Sequence, residues 1–164
     1  MTKEFEQQFV SELEKNQGII HKVCRSYTNN ETAHKDLFQE ITIQLWKAYP
    51  KFRGDSKFST WMYRVAFNTA ISLYRKSKRS VETTQIFDNL KELEFHEYDD
   101  TQDKQLQLLY NAIYSLNDID KALALLYLEN KSYKEISGIL GISEVNARVK
   151  MNRIKTKLKN ILNP

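Results

Sequence analysis

Tyr133-Lys134-Glu135-Ile136-Ser137-Gly138-Ile139-Leu140-Gly141-Ile142-Ser143 is the stretch whose reading decides the fold. Residues 133–140 carry apolar side chains at the spacing of a short helix, Gly141 permits the turn, and Ser143 is an N-cap for a second helix. Beyond it Ala147, Met151, Ile154 and Leu158 recur at steps of four, three and four, the buried stripe of that longer helix. Two helices joined in this way read as a helix-turn-helix. With the stripe inward, Asn146, Arg148, Val149, Lys150, Asn152, Arg153 and Lys155 are left for solvent or for DNA. In a major groove, Arg and Lys reach guanine O6 and N7 while Asn pairs with adenine. The bland alternative is a basic, solvated helix of an ordinary bundle. The cap, the glycine turn and the cluster of basic residues together favour DNA.

The same helical spacing runs through the rest of the chain. Leu109, Ile113 and Leu116 mark one helix before the motif, and Ile119 to Leu128 another. Nearer the N-terminus, Phe5, Phe9, Leu13, Ile19, Ile20 and Val23 predict a long helix with Gly18 as a place to bend. Tyr27-Thr28-Asn29-Asn30 reads as a turn. Leu37, Ile41 and Leu45, flanked by Phe38 and Trp46, predict a second helix that stops before Pro50. Phe58, Met62, Val65, Thr69 and Leu73 predict a third, with Ser56 as its N-cap. Gly54 permits a tight bend in the loop between them.

Composition supports an all-helical reading. The chain has 164 residues, enough for one ordinary domain or two small ones, and its 4 Gly and 2 Pro are too few to punctuate an all-β sandwich. The 12% of aromatic residues speaks against wholesale disorder. Cys24 is the single cysteine, so neither an internal disulfide nor a zinc-binding thiolate cluster is expected. The N-terminal residues lack a signal-peptide pattern, and no apolar run is long enough to span a bilayer. No metal and no cofactor is expected, and the expected home is a reducing cytoplasm.

The formal net charge of +4 conceals a sharper distribution. Residues 1–80 hold 14 basic and 8 acidic side chains, residues 81–105 hold 2 and 8, and residues 106–164 hold 9 and 5. Two basic blocks therefore flank an acidic joint. The joint carries Glu92, Glu94, Glu97, Asp99, Asp100 and Asp103 with little helical periodicity and reads as a linker, although Ile86, Leu90 and Leu93 allow a short docked helix. The alternative is an acidic surface loop of one domain, but unstructured connections of this length are uncommon inside compact domains.

In the first block Phe52, Phe58, Trp61, Tyr63 and Phe67 interleave with Arg53, Lys57, Arg64 and Asn68, and Arg75, Lys76, Lys78 and Arg79 come after them. Aromatic faces beside cations suit unpaired bases, which stack on the rings while basic groups hold phosphates. Taken singly, each of these aromatics is more often a core residue.

Here the residues carry a family resemblance. Asp36-Leu37-Phe38-Gln39-Glu40 with Trp46, followed by Phe52-Arg53-Gly54-Asp55-Ser56-Lys57-Phe58-Ser59-Thr60-Trp61-Met62-Tyr63-Arg64-Val65-Ala66-Phe67-Asn68, resembles the second conserved region of bacterial RNA polymerase sigma factors of the small extracytoplasmic-function (ECF) group. Ser132 to Leu158 is similar to that family's fourth region. The resemblance covers roughly residues 5–80 and 106–162, with the motifs in the family's order.

The resemblance implies an all-α protein of two small helical domains: residues 1–80 for polymerase docking and minus-ten melting, an acidic connector at 81–105, and residues 106–164 for minus-thirty-five readout. It places Asp36, Leu37, Gln39, Glu40, Gln44 and Trp46 against core RNA polymerase. It places Arg53, Asp55, Ser56, Lys57, Phe58, Trp61, Arg64, Asn68 and Arg75 at the minus-ten element, where extruding a base costs a few kcal/mol of unstacking. Tyr133, Ser143, Asn146, Arg148, Val149, Lys150, Asn152 and Arg153 would meet the minus-thirty-five duplex. The family commonly has Gly-Thr-Val near the start of this helix; this chain has Val145-Asn146-Ala147, and Val149 stands where a small polar residue is common, so base preference does not transfer. The implied partners are core polymerase, promoter DNA and an anti-sigma factor, often membrane-anchored, with no membrane insertion of this chain itself. The implied role is a promoter-specificity subunit and not an enzyme; His21, His34 and His96 form no recognisable acid-base or ligand spacing. The rival is a stand-alone helix-turn-helix regulator, which needs neither the aromatic-basic loop nor a polymerase-docking face.

Overall fold

Most of the helices begin where a short polar side chain can accept the backbone N–H groups that no turn yet satisfies. Thr2 caps Lys3–Tyr27 (α1), Asn30 caps Glu31–Ala48 (α2) and Asn117 caps Asp118–Leu128 (α5). Ser132 caps Tyr133–Leu140 (α6) and Ser143 caps Glu144–Leu162 (α7). Phe58–Thr84 (α3) and Lys104–Tyr114 (α4) complete the set. The computed structural model describes residues 2–79 in full, the backbone of 80–84, and residues 104–164. Among them there is no strand, and no helix is long and apolar enough to cross a membrane. Most of the expected acidic connector, with Ile86, Leu90 and Leu93, lies outside the described residues. Its two ends are helical, because α3 runs to Thr84 and α4 begins at Lys104.

α1 runs from Lys3 to Tyr27 with Gly18 inside it, the long helix expected. Two local expectations about α3 change. Ser56 does not cap α3: the first helical residue is Phe58, and the Lys57 carbonyl accepts the first intrahelical bond, from the Trp61 N–H at 3.1 Å. Ser56 therefore sits one position too early. The α3 stripe also differs from the one expected. Met62, Tyr63, Ala66, Phe67, Ala70 and Ile71 are buried, whereas Leu73 remains exposed. This helix is covered on two sides, by α1 and α2 and by α5 and α6, so its buried surface is wider and rotated from the simple four-residue ladder.

A single apolar cluster joins the two halves. Ile20, Val23 and Cys24 of α1, with Ala66 and Phe67 of α3, belong to the same buried set as Ile113, Leu123, Leu125, Leu126 and Ile136. At the seam Lys121 is fully buried, and its ammonium lies 4.3 Å from the ring centroids of both Tyr74 and Tyr114 and 5.2 Å from that of Tyr27. The Tyr27 hydroxyl donates to the Asp118 carbonyl oxygen, and Arg75 pairs with the Asp118 carboxylate. Lys22 and Glu129 add an ion pair at 2.7 Å.

Between α1 and α2, His21 Nδ1 lies 2.9 Å from His34 Nε2, and the His21 ring stacks on Phe38. Burial, then the Arg25 charge, lowers the His21 pKa. Burial, then the charges of His21 and Arg25, brings His34 to about 4, against the opposing pull of Glu31. A histidine whose folded pKa is depressed binds fewer protons than in the unfolded chain. Its stabilising effect is complete above about pH 6.5 and is lost as pH falls through the folded pKa near 4. Both rings are partly solvated, so the effect is discounted to about 1 kcal/mol. Urea unfolding at pH 7 and pH 4.5 should give a smaller loss of stability for His34→Gln than for the wild type; equal losses would remove the histidine pair as the cause.

Candidate nucleic-acid interface

Two separate surfaces collect the residues singled out for nucleic acid. The first is the helix-turn-helix. Gly141 ends α6 in the left-handed region (φ 72°), which a residue with a Cβ enters only with strain. The Ser137 hydroxyl donates to the Ile142 carbonyl oxygen and ties the turn back to α6. Ser143 then accepts the Asn146 N–H at 3.1 Å. Ala147, Met151 and Ile154 are buried as expected and Leu158 packs against the core, which fixes the rotation of α7. Asn146, Arg148, Val149, Asn152 and Arg153 are exposed and Lys150 is half-buried. The Arg148 guanidinium lies 5.3 Å from the Tyr133 ring centroid, so a residue of α6 orients a cation of α7. Lys155 turns aside onto the Tyr127 ring at 4.4 Å. Ser143 is exposed, and its hydroxyl serves the helix as a cap.

The second surface is the loop after α2 and the outer face of α3. The short 3-10 turn Tyr49–Lys51 places Pro50 where a helix can no longer continue. Gly54 then adopts a φ of 77°. Arg53, Asp55 and Lys57 are exposed around it, and Ser56 and Phe58 are half-buried. Behind the loop, the Phe52 ring lies 5.0 Å from Trp61 and 5.7 Å from Phe58, and Tyr49 lies 5.0 Å from Phe9. An open groove of about 920 Å³ runs between the loop and the first turns of α1, lined by Phe52, Gly54, Ser56, Lys57, Phe58 and Gln8 among others. From Lys57, just before α3, along the helix, Trp61, Arg64, Asn68 and Arg75 follow at three- and four-residue steps or their sum and share one side. Tyr63 and Phe67, interleaved with them in sequence, are not available to bases: both are almost fully buried and stack on each other at 5.8 Å.

Two of these basic residues already have protein partners. Arg64 donates to the Gly138 carbonyl oxygen of α6 at 3.0 Å, and Arg75 holds Asp118 at the start of α5. Neither link is visible in sequence, because the partners lie 74 and 43 positions away. Helical spacing does not reveal Lys121 and its tyrosines either; the available signal is a lysine placed directly before the apolar run Ala122-Leu123-Ala124-Leu125-Leu126.

The expected docking set is divided. Asp36 and Gln39 occupy the outer part of α2, and Gln44 donates to Glu40 at 2.9 Å along the same helix. Leu37 is buried and serves the core. Trp46 is half-buried with its ring 5.0 Å from Phe9 and 6.2 Å from Phe5, which makes it a packing residue between α1 and α2. Among the described residues no group of three or more His, Cys, Asp or Glu side chains is placed to hold a metal ion.

Family models match the two halves of the chain. Residues 13–80 match the model of sigma-70 region 2, and residues 106–158 match sigma-70, region 4. The ECF RNA polymerase sigma-E factor of Escherichia coli strain K12 is 30% identical over 140 residues, covering 79% of this chain and 73% of that one. The chain belongs to the ECF RNA polymerase sigma factors. The sigma-E factor of Haemophilus influenzae is 26% identical over 140 residues, covering 79% of this sigma factor and 74% of that protein. In fold, this sigma factor is similar to the sigma factor RpoE of Bartonella quintana in complex with the anti-sigma factor NepR (TM-score 0.71, 18% identity, 98% of each chain covered). It is also similar to CnrH in complex with the cytosolic domain of CnrY (TM-score 0.67, 18% identity, 96% and 89% covered).

The helix-turn-helix yields a direct stability test. Removing the hydroxyl that caps α7, in Ser143→Ala, should cost about 1 kcal/mol in urea unfolding while leaving the far-ultraviolet spectrum helical. An unchanged midpoint would mean that the cap does not support the α7 N-terminus.

Proposed function

We propose that this sigma factor brings core RNA polymerase to promoters by reading one duplex element with α7 and capturing an unpaired base of a second element at the loop 52–59. The observation that carries this is the pairing, in one chain, of an exposed basic recognition helix with a separate loop backed by aromatic rings. The working boundaries are residues 1–80 for docking and melting, 81–105 for the connector and 106–164 for duplex readout. A stand-alone regulator leaves the region 2 match without a role.

Asp36, Gln39, Glu40 and Gln44 offer carboxylates and amides to a basic helical surface of the polymerase, with Leu37 and Trp46 holding that face of α2 in place. Ser56, Lys57 and Phe58 line the groove where an extruded base would sit, Arg53 and Asp55 are exposed on either side of Gly54 in the same loop, and Trp61, Arg64, Asn68 and Arg75 continue along α3 as a track for the strand. Melting is driven by binding: unstacking costs a few kcal/mol, offset by stacking, base-edge hydrogen bonds and phosphate contacts. No residue is given a catalytic role, so the chemistry of initiation is left to the polymerase, and the site of action is the cytoplasm. Arg64 and Arg75 cannot serve DNA and the second module at once. Full engagement of the track therefore requires the contacts with Gly138 and Asp118 to be given up. An anti-sigma factor that favours the closed arrangement would hold these groups back.

Purified core polymerase, this protein and genomic fragments should yield transcripts from discrete start sites. Absence of both core binding and discrete initiation would sink the reading. Within an active promoter, Arg153→Ala should cost about 1–3 kcal/mol and relax specificity at one base pair of the duplex element; a uniform loss across all sequences would instead make Arg153 a phosphate contact.

A further inference from the structure

The outermost line of α7 is not basic. With Ala147, Met151 and Ile154 buried, the positions on the opposite side at 100° per residue are Val145, Val149, Asn152 and Thr156. Val145 is 68% exposed and Val149 44%. They are four residues apart, so their side chains form one continuous apolar strip on the first two turns of the helix. The cations Arg148 and Arg153 and the amides of Asn146 and Asn152 border it.

Isolated exposed apolar residues are ordinary on protein surfaces. This pair is different in its place. A solvated helix gains nothing from valine there, since its branched side chain lowers helix propensity relative to lysine, glutamate or alanine. Both valines stand uncovered at the front of the helix-turn-helix, where a recognition helix meets base edges with its N-terminal residues. In the major groove the thymine C5-methyl group is the one apolar feature that base edges present, and aliphatic contact is how it is read.

We propose that Val145 and Val149 read thymine methyl groups in the duplex element, fixing at least one T·A pair by apolar contact while the neighbouring arginines and asparagines read polar edges. This rests on the assignment of α7 to duplex readout. It names the base chemistry that the departure from the family's usual residues at these positions leaves open. The contact is worth roughly one buried methyl group, about a fourfold change in affinity per thymine.

Deoxyuridine is the probe, because it differs from thymidine by that methyl alone. Holoenzyme made from core polymerase and the full-length chain would be bound to a promoter mapped by the transcription experiment. Each thymine of the upstream element would be replaced in turn by uracil. The expected result is a loss of about fourfold at one or two positions, with the wild-type footprint otherwise kept. In Val145→Ala/Val149→Ala, thymine and uracil probes should bind equally at those positions, and Val149→Ile should restore the preference. Both alanine substitutions lie on exposed helix positions, so folding is expected to hold and is checked by thermal melting. Indifference of the wild type to uracil at every position, with an intact footprint, would overturn this inference alone. A double variant that still prefers thymine would do the same. Absence of any protected upstream duplex would overturn the assignment of α7 and this inference with it.

Discussion

The placement of a positive charge in the interior sets the geometry of the whole molecule. Lys121 reaches the seam between the two halves, where transferring an ammonium from water costs several kcal/mol unless something replaces its hydration. Three tyrosine faces contribute to that replacement, from Tyr27 on α1, Tyr74 on α3 and Tyr114 on α4. Burial also raises the Tyr27 pKa well above its usual value, so its hydroxyl stays protonated and donates to the Asp118 carbonyl oxygen. The two modules are thus indexed to each other by one cage, with apolar packing around it and the Arg75–Asp118 pair at its rim. Apolar burial alone is non-directional; the cage adds a register.

That register explains why the two candidate nucleic-acid surfaces differ in availability. α7 keeps its front, Val145 and Val149 bordered by arginines and asparagines, in solvent, with its rotation set by three buried residues. The α3 track faces the other module along part of its length, and Arg64 and Arg75 are drawn toward α6 and α5. The loop at Gly54 stays open, with its aromatic floor assembled from α1, the 3-10 turn and α3. The duplex readout proposed for α7 and the strand capture proposed for the loop 52–59 therefore make different demands on the same closed chain.

Local chemistry is what sequence expressed best. The boundaries of α6, the Gly141 turn, the Ser143 cap and the buried stripe of α7 are legible because each is fixed by residues within a few positions of one another. The α2 stripe of Leu37, Ile41 and Leu45 is legible for the same reason. The rotation of α3 is not, because a second module covers a flank that a lone three-helix unit would leave exposed. Tyr63 and Phe67 are lost to the core on that account, and Arg64 and Arg75 acquire partners far away in sequence. A buried lysine defeats pattern reading altogether, since a charged residue marks the outside of a helix until its aromatic neighbours are known. The assignment of Trp46 turns on the same difficulty: an aromatic next to a docking face and an aromatic that holds two helices together look alike in sequence.

Cys24 has a consequence for how signals can reach this protein. Its side chain is wholly enclosed in the shared core, and burial pushes the thiol pKa up to about 12. Oxidants and electrophiles attack the thiolate, and at neutral pH this residue supplies almost none of it to any reagent. The only sulfhydryl in the chain is therefore chemically silent while the halves stay together. A stress that works through thiol chemistry has to be sensed by another molecule and relayed to this one by binding.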